Sequence, residues 1–339
     1  MNLITGATGL IGSHVAYRLL IEEKPVFAIK QSTSDINKTK KLFSYYTADY
    51  ENLFKKIKWI EADISDIYSL IDVLEGIEVV YHCAGFVSFD KKDIKRLYKI
   101  NDEGTANIVN ACLEKRIKML CHVSSIATLQ NPDITKNIDE SVYWKFSPNA
   151  SDYAISKYNG EREVWRGMEE GLNAVIVNPS IVLGPGFWNQ SSSKLFTTCY
   201  HGNSFYTNGS GAVVSALDVA NCMITLVNKN HSGKRYILSE NNYTFKEICS
   251  VIQKLFDKKE PTISAGKPLL TLAKWTENIL KTFTGKPQIM TNSMINSLLE
   301  KNSYNNNRIK KEIGFEFTPF SDTAKIICSA YINDLKKQK

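Results

Sequence analysis

Apolar and polar positions follow two regimes along the first half of the chain. Six short runs, "MNLIT", "PVFAIK", "IKWIEAD", "IEVVYHCAG", "IKMLCHVSS" and "LNAVIVNPS", are rich in consecutive apolar residues. Between them, stretches such as "LIGSHVAYRLLIEE", "YENLFKKI", "IYSLIDVLEG" and "DIKRLYKINDEGTANIVNACLEK" repeat apolar residues at helical spacing. Continuous apolar strands alternating with helices predict a parallel sheet covered on both faces. Right-handed crossovers then make an α/β, doubly wound sheet, which is expected to occupy residues 1–180.

The alternation breaks after "IVLGPG" at residues 181–186. Residues 181–339 are therefore expected to form mainly a smaller C-terminal substrate-binding domain over the cofactor edge. A hairpin-like region is expected near "FYTNGSG", with helices around 245–256 and 268–283. The stretch "VVSALDVANCMITLV", about residues 212–228, is expected to rejoin the first domain. The helix "PLLTLAKWTENILKTF" carries Leu269, Leu272, Trp275, Ile279 and Phe283 at helical spacing. That face is expected to pack on the protein's own core, in preference to a membrane or a substrate gate.

Bulk properties narrow the function classes. A chain of 339 residues with 43% hydrophobic content has ample material for a core. The net charge is +7, but the basic residues form short scattered runs at 38–41, 55–58, 91–96 and 336–339. Nucleic-acid binding calls for one concentrated stripe, so a solvated basic surface is the reading. A modest positive field also suits a phosphate-bearing cofactor. The seven cysteines form no Cys-x-x-Cys pair, which predicts free thiols in a reducing compartment and no metal site. A strand-like run at the first residues leaves no room for a signal peptide, and no apolar run approaches the ~20 residues of a membrane span. A cytoplasmic protein is expected.

The chemistry begins at "TGATGLIG". It places Gly6, Gly9 and Gly12, with Thr8, Leu10 and Ile11 between them, at the first strand-to-helix turn. Glycines there allow a tight turn, and the helix N-terminus offers free N–H groups to a pyrophosphate. The motif follows a strand and opens a helix, which is the context of a Rossmann dinucleotide site. At the end of the second strand stands Lys30, which suits the 2′-phosphate of NADP, while Asp35 nearby keeps NAD open. Asp63, followed by Ile64, ends the third strand where a carboxylate accepts from an adenine amino group. Cys83, Ala84 and Gly85 supply small residues where the cofactor crosses the fourth strand. His82 beside them reads as a satisfied strand-end histidine.

Two further stretches meet the same edge. "HVSSIAT" ends the fifth strand, so Ser124 or Ser125 points into the crevice, and strand alternation allows only one to serve. "SDYAISK" puts Tyr153 and Lys157 four apart, on one helical face.

Taken together, "GATGLIG", "NDEGTAN", "VSSIAT", "YAISK" and "NPSIVLGPG" resemble, in order and spacing, the extended short-chain dehydrogenase/reductase superfamily. This is the NAD-dependent epimerase/dehydratase group. With "HCAGFVSF", the chain looks most like its dihydroflavonol-reductase-like and 3β-hydroxysteroid-dehydrogenase-like members. The resemblance implies Tyr153 as catalytic acid/base, Lys157 as its partner and ribose ligand, and one serine as polariser. The distance to the following "AT" favours Ser125. It also implies that Pro179, Ile181 and Val182 lie along the nicotinamide. Asn101 would either hold the active-site helix or bond its own helix. No Thr-Asp-Glu replaces "SIAT", which argues against dehydration.

The activity so implied is reduction of a ketone or aldehyde, or oxidation of the alcohol, with NADP(H) favoured and NAD(H) the alternative. A nucleotide-sugar epimerase with tightly held NAD and a non-catalytic cofactor-sensing scaffold are the competing readings. The partner is a small carbonyl or alcohol compound. The superfamily habit implies a homodimer through helices at 93–115 and 153–170. Phe86 to Phe89, Tyr143-Trp144, Phe187-Trp188 and "SFYTNG" are candidate pocket aromatics.

Overall fold

The computed structural model describes residues 1–134, 136–148, 150–188, 191–284 and 291–337. The chain opens with β1 (Asn2–Thr5), α1 (Leu10–Ile21) and β2 (Val26–Lys30). Two short helices, α2 (Asn37–Phe43) and α3 (Tyr50–Lys55), lead to β3 (Lys58–Glu61). Next come α4 (Ile67–Val73), β4 (Val79–His82) and α5 (Ile94–Tyr98). A π-helical turn at Lys99–Glu103 joins α5 to α6 (Gly104–Glu114), which leads to β5 (Met119–Val123). The long α7 (Asp152–Glu169) and β6 (Ala174–Pro179) follow.

The strands of the large sheet are all parallel, in the order β3-β2-β1-β4-β5-β6 and then one more. Chain order reverses between β1 and β4, and that switch point is where such sheets open a crevice. One apolar cluster covers one face, around Val15, Leu19, Tyr81, Val123 and Met223. A second covers the other, around Leu3, Val80, Ile108, Leu120 and Val164. Burial on both faces explains why these strands read as near-continuous apolar runs.

The rest of the chain divides its elements between this sheet and a smaller lobe. It runs β7 (Ile181–Leu183), α8 (Lys194–Tyr200), β8 (Phe205–Tyr206), β9 (Ser210–Ser215), α9 (Ala216–Asn228), β10 (Lys234–Leu238) and β11 (Asn241–Thr244). It ends with α10 (Phe245–Leu255), β12 (Ile263–Ser264), α11 (Lys267–Thr284), α12 (Asn292–Leu299), α13 (Asn307–Ile313) and α14 (Phe320–Lys337). The seventh strand of the large sheet is β10, parallel to β6, and α9 lies against α1. Of "VVSALDVANCMITLV", the helical part is thus on the main sheet, while its first residues belong to β9.

The region "FYTNGSG" is not a hairpin. β8 pairs with β12 and β9 pairs with β11 and β7, so the two strands that flank the turn lie in different sheets. Burial decides this: β9 carries a run of buried residues, Gly211–Val214, that needs neighbours on both sides.

The helix at 267–284 also departs from expectation. Leu270 is the residue that packs inward, against Ala265 and Ile295. Leu269, Leu272 and Trp275 are exposed, Trp275 by 61%. The side chains of Ile279 and Phe283 lie outside the described residues. The spacing marks an amphipathic face, but among the described residues its Leu269, Leu272 and Trp275 positions are left uncovered. Among the described residues, no helix is long and apolar enough to cross a membrane.

Candidate active site

The glycine turn is built by close approach. Gly6 has φ +68°, and a Cβ there would lie 2.6 Å from the backbone nitrogen of Ala84. A Cβ on Gly12 would meet the Gly6 carbonyl oxygen at 2.3 Å. These contacts press the first turn of α1 against β1 and bring it to the Cys83–Gly85 stretch. Ser13 Oγ donates to the carbonyls of Ala7 and Gly9, and Thr39 Oγ1 also donates to Ala7. Gly9, the N-cap of α1, supplies no side-chain cap, and the first turn holds no acidic residue. The orphan N–H groups of that turn are thus left to an outside acceptor, and no carboxylate repels one. This cradle fits the pyrophosphate of a dinucleotide.

β4 supplies the next wall. Thr5 Oγ1 hydrogen-bonds His82 Nδ1 at 2.7 Å and accepts from the Ala84 backbone N–H at 3.1 Å. His82 Nε2 meets Thr105 Oγ1 at 3.2 Å, so this histidine is a buried, satisfied group. Burial, with the Lys157 charge adding to it, lowers its pKa to about 3. Gly85 lies near Lys157, whose Nζ would be 4.0 Å from a Cβ there.

Across the crevice α7 starts with a Ser151 cap on the Ala154 N–H. Tyr153 and Lys157 sit in its first turns. Lys157 is buried and its Nζ donates to the Val123 carbonyl at 2.7 Å. Burial lowers its pKa to about 8, while Glu161 and Cys83 hold it up. Burial raises the Tyr153 pKa, and a side-chain hydrogen bond with Ser125 opposes that rise. Ser125 is thus a group that favours the tyrosinate in this arrangement.

The two serines separate cleanly. Ser124 is buried and its Oγ donates to Glu161 Oε2 at 2.5 Å. Ser125 accepts from the Ala127 N–H, capping the short 3-10 turn after β5, and bonds Tyr153. Asn101 sits in the π-helical turn and clamps the loop after β4. It accepts from the Phe86 N–H at 2.8 Å, donates to the Phe86 carbonyl at 2.9 Å, and donates to Ser156 Oγ at 3.0 Å. It therefore ties that loop to α7 rather than bonding its own helix.

The remaining candidates are distributed around this centre. Pro179 ends β6, and Ile181 and Val182 lie in β7. A Cβ on Gly184, just after β7, would lie 2.9 Å from Leu10 Cδ1, so this segment reaches the glycine turn. Lys30 closes β2, and its Nζ sits 3.4 Å from Glu61 across the strand pair. Asp63 holds its own turn through the Ser65 N–H and accepts from Gln31 Nε2. Ile64 packs against Gly104, where a Cβ would meet Ile64 Cδ1 at 2.7 Å.

Aromatic candidates divide. Phe89 meets the Tyr153 ring at 6.0 Å between centroids, and the Arg96 guanidinium lies over Phe86. Trp144 stacks on Tyr158 of α7, while Tyr143 is 84% exposed. Trp188 belongs elsewhere. It packs on Tyr331 of α14 and on Tyr45 just after α2 and donates to Asp334, away from the Tyr153 edge.

Sequence reasoning missed Glu161, Asn178 and Arg235, which meet beneath the site. Glu161 stands one turn past Lys157 and carried a readable signal in that spacing alone. Among the described residues no cluster could hold a metal ion, and the seven cysteines are free thiols.

Comparison with known proteins agrees with this geometry. The family model "NAD dependent epimerase/dehydratase family" matches residues 2–239. Sterol demethylase protein B of Methylococcus capsulatus is 27% identical over 276 residues, covering 79% of this chain and 78% of that protein. Cinnamoyl-CoA reductase 1 of Arabidopsis thaliana is 25% identical, covering 93% of this chain and 84% of the relative. Dihydroflavonol 4-reductase of Gerbera hybrida is 25% identical, covering 74% and 71%. The solved structure of UDP-glucose 4-epimerase from Thermotoga maritima shares the fold, with a TM-score of 0.78, 16% identity, and 99% and 100% of the two chains covered. The glycine turn, the Ser125–Tyr153–Lys157 edge and these matches lead to one conclusion: the chain belongs to the NAD-dependent epimerase/dehydratase family, within the extended short-chain dehydrogenase/reductase superfamily.

Proposed function

We propose that the protein is an NADP(H)-dependent reductase of a ketone or aldehyde, with Tyr153 as proton donor. The observation that carries this reading is the placement of Tyr153 beside Ser125, with Lys157 buried one helical turn further along and held on the Val123 carbonyl. The dinucleotide, when bound, supplies hydride to the carbonyl carbon. Ser125 Oγ holds the carbonyl oxygen as charge grows on it, and Tyr153 delivers the proton. Burial keeps the phenol protonated at neutral pH, which suits donation and hence the reductive direction. Lys157, at about 8, remains mostly cationic there and favours the tyrosinate left behind.

Phe89 against Tyr153 supports an apolar or aromatic substrate over a sugar. The cinnamoyl-CoA and dihydroflavonol reductases among the relatives are named for substrates of that kind. Lys30 supports NADP, because its 3.4 Å contact with Glu61 is loose enough for a 2′-phosphate to replace.

Substrate screening by NADPH absorbance, with the Tyr153→Phe variant beside wild type, tests the reading. Tyr153→Phe is expected to bind dinucleotide and to lose turnover. Near wild-type turnover would sink the assignment. Tighter binding of NADH than NADPH, unchanged in Lys30→Ala, would reject the NADP preference. A nucleotide that copurifies and does not exchange would favour an epimerase.

A further inference from the structure

Beneath the Ser125–Tyr153–Lys157 edge lies a buried carboxylate that the proposed reaction does not use. Glu161 is 1% exposed. Its Oε2 accepts from Ser124 Oγ at 2.5 Å, Thr128 Oγ1 at 2.7 Å and Asn178 Nδ2 at 2.8 Å. Its Oε1 accepts from Arg235 Nη1 at 3.0 Å and Trp165 Nε1 at 3.3 Å. These donors come from the end of β5, the 3-10 turn after it, the end of β6, β10 and α7 itself. Five donors on one carboxylate fill its roughly four lone-pair sites.

The arrangement has a direct relation to the site. Glu161 and Lys157 stand one turn apart on α7 and grip consecutive residues of β5. Lys157 takes the Val123 carbonyl and Glu161 takes the Ser124 hydroxyl. With Ser124 turned inward, strand alternation leaves Ser125 to face Tyr153. Arg235 in turn donates to the carbonyls of Glu140 and Val142, anchoring the network to the loop before α7.

We propose that Glu161 is a positioning residue of the active site: it selects Ser125 as the serine that faces Tyr153 and stabilises the Lys157 ammonium, with Arg235 as its counter-ion. The proposal rests on the reading of Tyr153 and Lys157 as the reacting pair. The groups facing Lys157 are Tyr153 and Glu161 on its own helix, His82 and Cys83 from β4, and His122 from β5. Both histidines are held neutral by burial, and burial also raises the Cys83 thiol. Glu161, one helical turn along α7, is the carboxylate whose charge supports the ammonium. Removing it withdraws support for the cation, and removing Arg235 alone leaves that carboxylate uncompensated. The two substitutions therefore displace the Lys157 titration in opposite directions.

The test uses the whole chain without cofactor or substrate. Lysine labelled at 13Cε is titrated by NMR, with the Lys157 resonance assigned from Lys157→Met. Glu161→Gln is expected to move the Lys157 titration to lower pH, and Arg235→Met to higher pH, with Arg235→Lys restoring it. In turnover, Glu161→Gln is expected to lose about tenfold or more in kcat with a smaller change in dinucleotide Kd. Should either single variant fail to fold, the double variant Glu161→Gln/Arg235→Met removes both buried charges and is expected to remain folded. It too should shift Lys157 to lower pH. An unchanged Lys157 titration in all variants, with only Tm lowered, overturns the proposal and leaves the network purely structural. An active Tyr153→Phe variant would instead remove the reading beneath it, so the two failures are told apart.

Discussion

The carbonyl oxygen of Asn101 lies where a Cβ on Gly160 would stand only 2.0 Å from it. This contact sets the distance between the π-helical turn and α7, and therefore between the clamp on Phe86 and the helix that carries Tyr153. The π-helical turn supplies the bulge that pushes that carbonyl outward. Gly160→Ala puts a methyl group against backbone, which cannot rotate away. It is expected to destabilise by roughly 1–3 kcal/mol despite the better helix propensity of alanine. Thermal denaturation checks this, and a Tm equal to or above wild type would contradict it.

Gly12 makes a similar demand at the dinucleotide turn. A Cβ there would meet the Gly6 carbonyl at 2.3 Å, so alanine must lift α1 from the loop. Its N–H groups then point away from the pyrophosphate. Gly12→Ala is expected to weaken NADPH binding by about tenfold or more, equivalent to about 1.4 kcal/mol. Fluorescence titration measures it. Unchanged affinity would mean that the turn does not cradle the phosphates.

Asn101→Ala removes both bonds to Phe86 and the one to Ser156. The Phe86 N–H and carbonyl then lose their partner at a half-buried position. A loss of roughly 2–3 kcal/mol in stability is expected, read by urea denaturation. Because the loop also carries Phe89 towards Tyr153, kcat/KM for an aromatic substrate should fall further than stability alone explains.

The sheet also predicts acid sensitivity. Burial lowers the pKa of His14 to about 4 and of His82 to about 3, and pushes His122 well below its ordinary value. Neither ring nitrogen of His122 has a hydrogen-bond partner among the described residues. In the unfolded chain each histidine returns to about 6.5, so below that pH the unfolded state binds more protons. The contribution is thus fully present above pH ~6.5 and is lost as pH falls from there towards 4. Together the three histidines should cost about 4 kcal/mol between pH 7.5 and 5.5. Denaturant midpoints at the two pH values test this. His122→Phe should reduce the loss by about one third without lowering stability at pH 7.5.

Trp275 and Leu272 test the uncovered face of α11. Both side chains stand in solvent, at 61% and 56% exposure. Trp275→Gln and Leu272→Gln are expected to leave stability within about 0.5 kcal/mol. A large loss of Tm would mean that the face is buried in solution.

Local patterning determined much of this protein. The strand and helix alternation up to Pro179 follows from which residues can be buried on two faces, and that is written in neighbouring positions. The glycine turn and the Tyr153–Lys157 pair are equally local, one needing close backbone approach and the other a single helical turn. Tertiary structure decided the rest, because long-range partners settle where buried polar groups point. "KRYIL" became the seventh strand only by pairing with β6. Ser124 turned inward because Glu161, 37 residues later, accepts its hydrogen bond. Ser125 was thereby left to Tyr153; the distance to "AT" favoured that serine by resemblance, and the carboxylate gives the physical reason. The exposed face of α11 shows the same limit from the other side: periodicity declares an apolar stripe, but only the folded chain shows what covers it.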